Sequence, residues 1–139
     1  MIETTKTTET TRSVVVERNF SHPPEKIWRA LTQPHLIAEW LMRNDFIPEV
    51  GRRFTLSADW GQVDCEVETI EANRSLAYRW DTKDLTSVVT WTLVPANGGT
   101  NLRMEQRGFR ADQKSYFQGA TVGWQRFFTQ LEEVVAKLD

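Results

Sequence analysis

The sequence is short of the residues on which several kinds of protein depend. Its single cysteine, Cys65, excludes an internal disulfide and suits a reducing compartment. Cys65 lies in a stretch that alternates apolar and polar residues, where a small buried core residue is the expected role rather than a nucleophile. The only histidines, His22 and His35, flank the first helical stretch and lie far along the chain from Cys65. No His/Cys set therefore has metal-ligand spacing, and neither metal nor cofactor is expected. No apolar run approaches the roughly 18 residues of a membrane span, and the first residues lack an apolar signal core. The expectation is a soluble cytoplasmic protein with no membrane insertion. Charge of one sign is missing too: 17 Lys and Arg stand against 19 Asp and Glu, a formal net charge of −2. That balance gives no electrostatic reason to expect nucleic acid as a partner. No serine stands in a G-x-S-x-G setting, and Gly98-Gly99 belongs to a hairpin signal rather than a phosphate loop.

What the chain does have is one long amphipathic stretch, Asp112 to Asp139. At 100° per residue, Phe117, Ala120, Thr121, Trp124, Phe127, Phe128, Leu131, Val134, Val135 and Leu138 share a face. Such a helix is about 40 Å long at about 1.5 Å per residue, enough to cross a small domain. Its stripe is too wide and too aromatic for a coiled-coil seam, so it reads as a helix laid along a sheet. Gly119 and Gly123, four apart at the edge of the stripe, each cost a helix interior about 1 kcal/mol relative to Ala. They imply either close packing against a neighbour or space left for a ligand.

A chain of 139 residues, 40% of them apolar, is one domain with a real core. Met1 to Ser13, threonine-rich, reads as a flexible tail, and the domain runs from Val14 to Asp139. Val14 to Phe20 is a strand. Pro23-Pro24 opens a helix over Glu25 to Leu31, Pro34 stops it, and Thr32 is placed to cap a second helix, His35 to Leu41. After Met42 the pattern is strands and turns. Arg53 to Trp60 puts Phe54, Leu56, Ala58 and Trp60 on one side, and Gln62 to Ile70 sets Val63, Cys65 and Val67 against Asp64, Glu66 and Glu68. The carboxylates thus fall on a solvated outer face and are not a general acid/base pair. Leu76, Tyr78 and Trp80 follow, then Val89, Trp91 and Leu93, then the turn Asn97-Gly98-Gly99, then Leu102, Met104 and Gln106. The order implies an α+β fold: two short helices after the first strand, and a curved antiparallel sheet of six or seven strands around the long C-terminal helix.

Four blocks carry a family resemblance: Pro23-Pro24-Glu25-Lys26-Ile27-Trp28-Arg29-Ala30-Leu31-Thr32-Gln33-Pro34 with Glu39-Trp40-Leu41; Pro48-Glu49-Val50-Gly51-Arg52-Arg53-Phe54; Thr90 to Pro95 through Gly98-Gly99 to Gly108-Phe109; and Gly123-Trp124. In this order the chain resembles the START-like helix-grip superfamily (SRPBCC), and within it the heat-shock-protein-90 ATPase activator homologue family. The resemblance implies a sheet gripping the helix, with a cavity between them that in relatives holds apolar or polycyclic molecules. It implies no single activity. Many relatives carry a second glycine where Arg52 stands. Many also have a histidine in the regions that here supply Gln106, Gln118 and Thr121, so no inherited proton-transfer role is expected. The family takes its name from a chaperone regulator with a further N-terminal domain for which this chain has no room, so a chaperone partner stays open but unsupported.

Six tryptophans in one small domain either fill the core or line a pocket for a flat apolar ligand. With the apolar sheet face turned to the helix, the expected cavity residues are Trp60, Val63, Cys65, Val67, Tyr78, Trp80, Val89, Trp91, Met104, Gln106, Phe117, Ala120, Thr121, Trp124 and Phe128. Gln106, Tyr78 and Thr121 would supply its polar groups. The expected function is a non-catalytic binding module for an apolar or aromatic small molecule, as monomer or homodimer. Two alternatives remain open: a cyclase or hydratase using Gln106 and Tyr78 as donors and water as the base, and a stress-response interaction protein working through its surface.

Overall fold

In the computed structural model, which describes residues 11–139, alternation of apolar and polar residues builds one antiparallel sheet. Its strands are β1 (Thr11–Phe20), β2 (Arg43–Asn44), β3 (Arg53–Ala58), β4 (Gly61–Glu71), β5 (Ser75–Asp81), β6 (Thr86–Ala96) and β7 (Gly99–Arg110). The spatial order is β1-β7-β6-β5-β4-β3-β2, a meander from β2 to β7 with β1 added at the far edge. The helices are α1 (Pro24–Thr32), α2 (Pro34–Trp40) and α3 (Lys114–Ala136). The sheet curves, and α3 covers its apolar face. Among the described residues, no helix is long and apolar enough to cross a membrane.

Among the boundaries that differ from the sequence expectation are those of β1, α2 and α3. β1 starts at Thr11, with Thr11 opposite Arg110 and a register irregularity between Arg12 and Ser13. Backbone pairing with β7 extends the strand through polar residues that hydropathy alone assigns to a tail. The rest of that expected tail, residues 1–10, lies outside the described residues. Thr32 does not cap α2, because its hydroxyl donates back to the Trp28 carbonyl at 2.7 Å. Gln33 is the N-cap instead, extended at ψ 122° as the residue before a proline must be. α3 begins at Lys114 rather than Asp112, with Gln113 as its N-cap and no side-chain cap bond.

The β6–β7 turn uses two residues in the left-handed region, Asn97 at φ 49° and Gly98 at φ 79°. This is the two-residue hairpin that the Asn-Gly pair favours. Gly99 follows for a separate reason: a Cβ there would sit 2.1 Å from the Phe20 carbonyl oxygen. Only glycine lets β7 begin so close to the end of β1.

The core is aromatic at its centre. Trp91 meets Trp40 edge-on at 5.6 Å, Trp124 at 5.7 Å, and Phe128 in a stack at 5.6 Å. The second half of α3 supplies Trp124, Phe128, Leu131, Val134 and Val135, all buried. Arg18 of β1 pins that half. Its guanidinium donates to the Gln125 carbonyl (3.2 Å), Gln125 Oε1 (2.8 Å), Thr129 Oγ1 (3.2 Å) and Glu132 Oε1 (3.0 Å). Between Lys114 and Gly123 no residue of the helix is fully buried. That half stands off the sheet.

Candidate functional site

The space under the raised half of α3 is a cavity of about 700 Å³. One wall is α3 itself, through Ser115, Tyr116, Gly119, Ala120, Gly123, Trp124 and Phe127. The β5–β6 loop contributes Thr82, Lys83, Asp84 and Leu85, and the β3–β4 hairpin contributes Trp60, Gly61 and Gln62. Met42, Trp80, Gln106 and Phe109 complete the lining. A Cβ added at Gly119 or Gly123 would meet no atom within 4 Å. The glycines are therefore not close-packing points; their missing side chains help keep the cavity open.

The raised half is tied to the β5–β6 loop at its outer end. Tyr116 donates its hydroxyl to Asp84 Oδ2 at 3.1 Å, and Gln113 donates its amide to the Asp84 carbonyl. The carboxylate beside it pushes the exposed Tyr116 phenol above its ordinary range. On the opposite flank Phe117 packs edge-on against Phe109 at 5.6 Å and lies 4.1 Å beneath the Arg12 guanidinium.

At the cavity floor runs a chain of buried hydrogen bonds. Trp124 Nε1 donates to Gln106 Oε1 at 2.7 Å, Gln106 Nε2 donates to Ser87 Oγ at 3.0 Å, and Ser87 Oγ donates to the Trp80 carbonyl at 2.6 Å. Gln106 retains one amide hydrogen and one oxygen lone pair beyond these bonds. A second pair lies deeper, where Trp91 Nε1 donates to the Tyr78 hydroxyl at 3.0 Å. Burial pushes the Tyr78 phenol well above its ordinary value, against the smaller opposing effect of the Trp91 N–H. Burial also raises the Cys65 thiol, with Asp81, Asp64 and Asp45 adding to the shift. Both groups stay neutral at physiological pH, so Cys65 is no thiolate nucleophile.

The fifteen residues expected to line the cavity divide sharply. Trp80, Gln106, Ala120 and Trp124 line it, and so does Trp60, although not as expected. β3 ends at Ala58, so Asp59 and Trp60 form the turn, and Trp60 is 66% exposed at the cavity mouth rather than turned inward. Val63, Cys65, Val67, Tyr78, Val89, Trp91, Met104 and Phe128 are buried core residues outside the lining. They do face inward, but neighbouring side chains occupy the space in front of them. Phe117 is half-buried on the Phe109 flank, outside the lining. Thr121 is exposed, its hydroxyl bonded to the Phe117 carbonyl at 2.9 Å, and it supplies no polar group to the cavity. Sequence reasoning missed Met42, Leu85, Phe109, Tyr116 and Phe127 as lining. An apolar Leu85 in an otherwise polar loop, and Phe127 on the apolar stripe, were the available signals.

A curved antiparallel sheet closed over one long helix defines a START-like helix-grip protein. Residues 21–136 match the model of the family described as Activator of Hsp90 ATPase homolog 1-like protein, and the chain belongs to that family. Among solved structures it is similar to protein MLL2253 from Mesorhizobium loti, at 58% identity and a TM-score of 0.89, covering 92% of this chain and 99% of that one. It is also similar to protein BH1534 from Bacillus halodurans, at 27% identity and a TM-score of 0.80, covering 89% of this chain and 96% of that one. DynU16, from the dynemicin biosynthetic locus, is 23% identical with a TM-score of 0.82, a likeness of fold. The match covers 90% of this chain but 47% of DynU16. No match to the chain is found among curated proteins.

Proposed function

We propose that this protein binds an apolar or aromatic small molecule in the cavity beneath the first half of α3, as a non-catalytic cytoplasmic module. One observation carries the reading: a helix whose second half is buried lifts away from the sheet over an apolar space, and two glycines face that space with nothing against them. A helix selected only for packing would place side chains there. Each glycine weakens α3 by about 1 kcal/mol relative to alanine, a cost that needs a compensating use. The mostly apolar wall with one buried amide, Gln106, suits a small-molecule site. Gln106 is already bonded to Trp124 and Ser87, and Tyr78 is buried in the core outside the cavity lining, which suits fixed scaffolding better than a pair of donors poised for catalysis.

The test separates binding from folding. Gly119→Leu introduces a good helix former whose side chain enters the cavity. It is expected to abolish binding of the apolar dye Nile red while leaving the urea midpoint unchanged or higher. Undiminished dye binding by a folded Gly119→Leu variant would rule the cavity out as the site.

A further inference from the structure

We propose that the cavity is built for a planar aromatic molecule rather than an acyl chain, and that Trp60 is the residue that recognises it. This rests on the reading of the cavity as a ligand site.

The lining itself favours rings. Six of its side chains are aromatic, Trp60, Trp80, Phe109, Tyr116, Trp124 and Phe127, whereas Met42 and Leu85 are its only large aliphatic ones. A flexible chain gains from any apolar wall in proportion to area. Aromatic walls add a geometric preference, because ring faces and edges attract one another through their quadrupoles. The α3 wall is flat where Gly119 and Gly123 expose bare helix backbone to open space. A rigid plane can lie against such a surface, and it loses little conformational freedom on binding.

Trp60 is the informative residue, because folding gives no account of it. Four of the other five tryptophans, Trp40, Trp80, Trp91 and Trp124, are buried, and Trp28 is packed against the core. Trp60 alone is left 66% exposed. Pairing of Ala58 with Gly61 holds it in a two-residue turn at the hairpin tip, on an element separate from α3. Among the described residues no ring stacks on it and no acceptor meets its indole N–H. A large ring kept in water at the mouth of an apolar cavity is positioned to cover a ligand that stacks on it. A Cβ added at its neighbour Gly61 would meet nothing within 4 Å, so the space beside the turn is open.

The experiment compares two fluorescent probes of different shape, an aminoanthracene and cis-parinaric acid, on the intact protein and on Trp60→Leu and Trp60→Phe. The native protein is expected to bind the aminoanthracene at least about tenfold more tightly than the acyl probe. Trp60→Leu keeps apolar bulk but removes the ring. It is expected to weaken the aminoanthracene about tenfold, to spare parinaric acid, and to leave the urea midpoint in place, with Trp60→Phe restoring most of the affinity. Tighter binding of the acyl probe, or an aminoanthracene affinity indifferent to Trp60→Leu, would overturn the inference and leave the cavity reading standing. A large fall in the urea midpoint of Trp60→Leu would make Trp60 a folding residue and overturn it as well. Binding of neither probe by the native protein would remove both the inference and the cavity reading beneath it.

Discussion

Gln106 ties the cavity floor together through its buried amide. It is 2% exposed, and its two amide ends satisfy the Trp124 indole and the Ser87 hydroxyl, which in turn bonds the Trp80 carbonyl. Both tryptophans of the cavity floor are thereby held by one side chain, directly at Trp124 and through Ser87 at Trp80. Gln106→Leu nearly preserves volume but leaves a buried indole N–H without its acceptor. The expected loss of stability is about 1–3 kcal/mol, read from the urea midpoint. Since Trp124 would no longer be held, its fluorescence should also change. A variant with native stability and native emission would show the chain to be incidental. Cys65 and Tyr78 illustrate the opposite residue type: each was expected to line the site, and each is instead buried core.

At the scale of elements, glycine plays two opposed parts. Gly99 starts β7 where a Cβ would meet the Phe20 carbonyl oxygen at 2.1 Å, so Gly99→Ala must push two strands apart. Gly119 sits in helix α3 with nothing within 4 Å of where a methyl group would stand, so Gly119→Ala collides with nothing. The same substitution should therefore destabilise at position 99 by several kcal/mol and stabilise at position 119 by up to about 1 kcal/mol. Parallel denaturation curves of the two variants check the signs. Both glycines are equally visible as letters in the sequence. Their difference lies in which backbone stands opposite, and that is a tertiary fact.

For the whole molecule, α3 is the cover that closes the fold. Leu131, Val134 and Val135 bury their side chains against the sheet and the short helices, and each is worth roughly 1.5–3 kcal/mol on burial. Domains of this size are stable by only about 5–15 kcal/mol. Removing the residues after Phe128 should therefore abolish cooperative unfolding, as seen by loss of the thermal transition and of near-ultraviolet dichroism. A truncated chain with a sharp transition would mean that the sheet and short helices fold without this cover.

The α+β order, the strand alternation, the Asn97-Gly98 hairpin and the face of the long helix were legible in the residues, because period and turn chemistry are local properties. Local pattern assigns a side chain to one side of its own element and says nothing of how near the facing element comes. Trp91, Phe128 and Trp124 all point inward by that rule, yet the first two are enclosed core while Trp124 is also cavity wall. The difference arises where α3, pinned through Arg18 to β1 over its second half, rises off the sheet before Trp124. Trp60 was misplaced for a related reason: alternation was carried one step beyond the last paired residue, Ala58, into a turn where it no longer holds. Sequence alone thus determined the elements and their apolar faces. The separation between those faces, and with it the cavity, was decided only by long-range contacts made after folding had brought β1, β7 and α3 together.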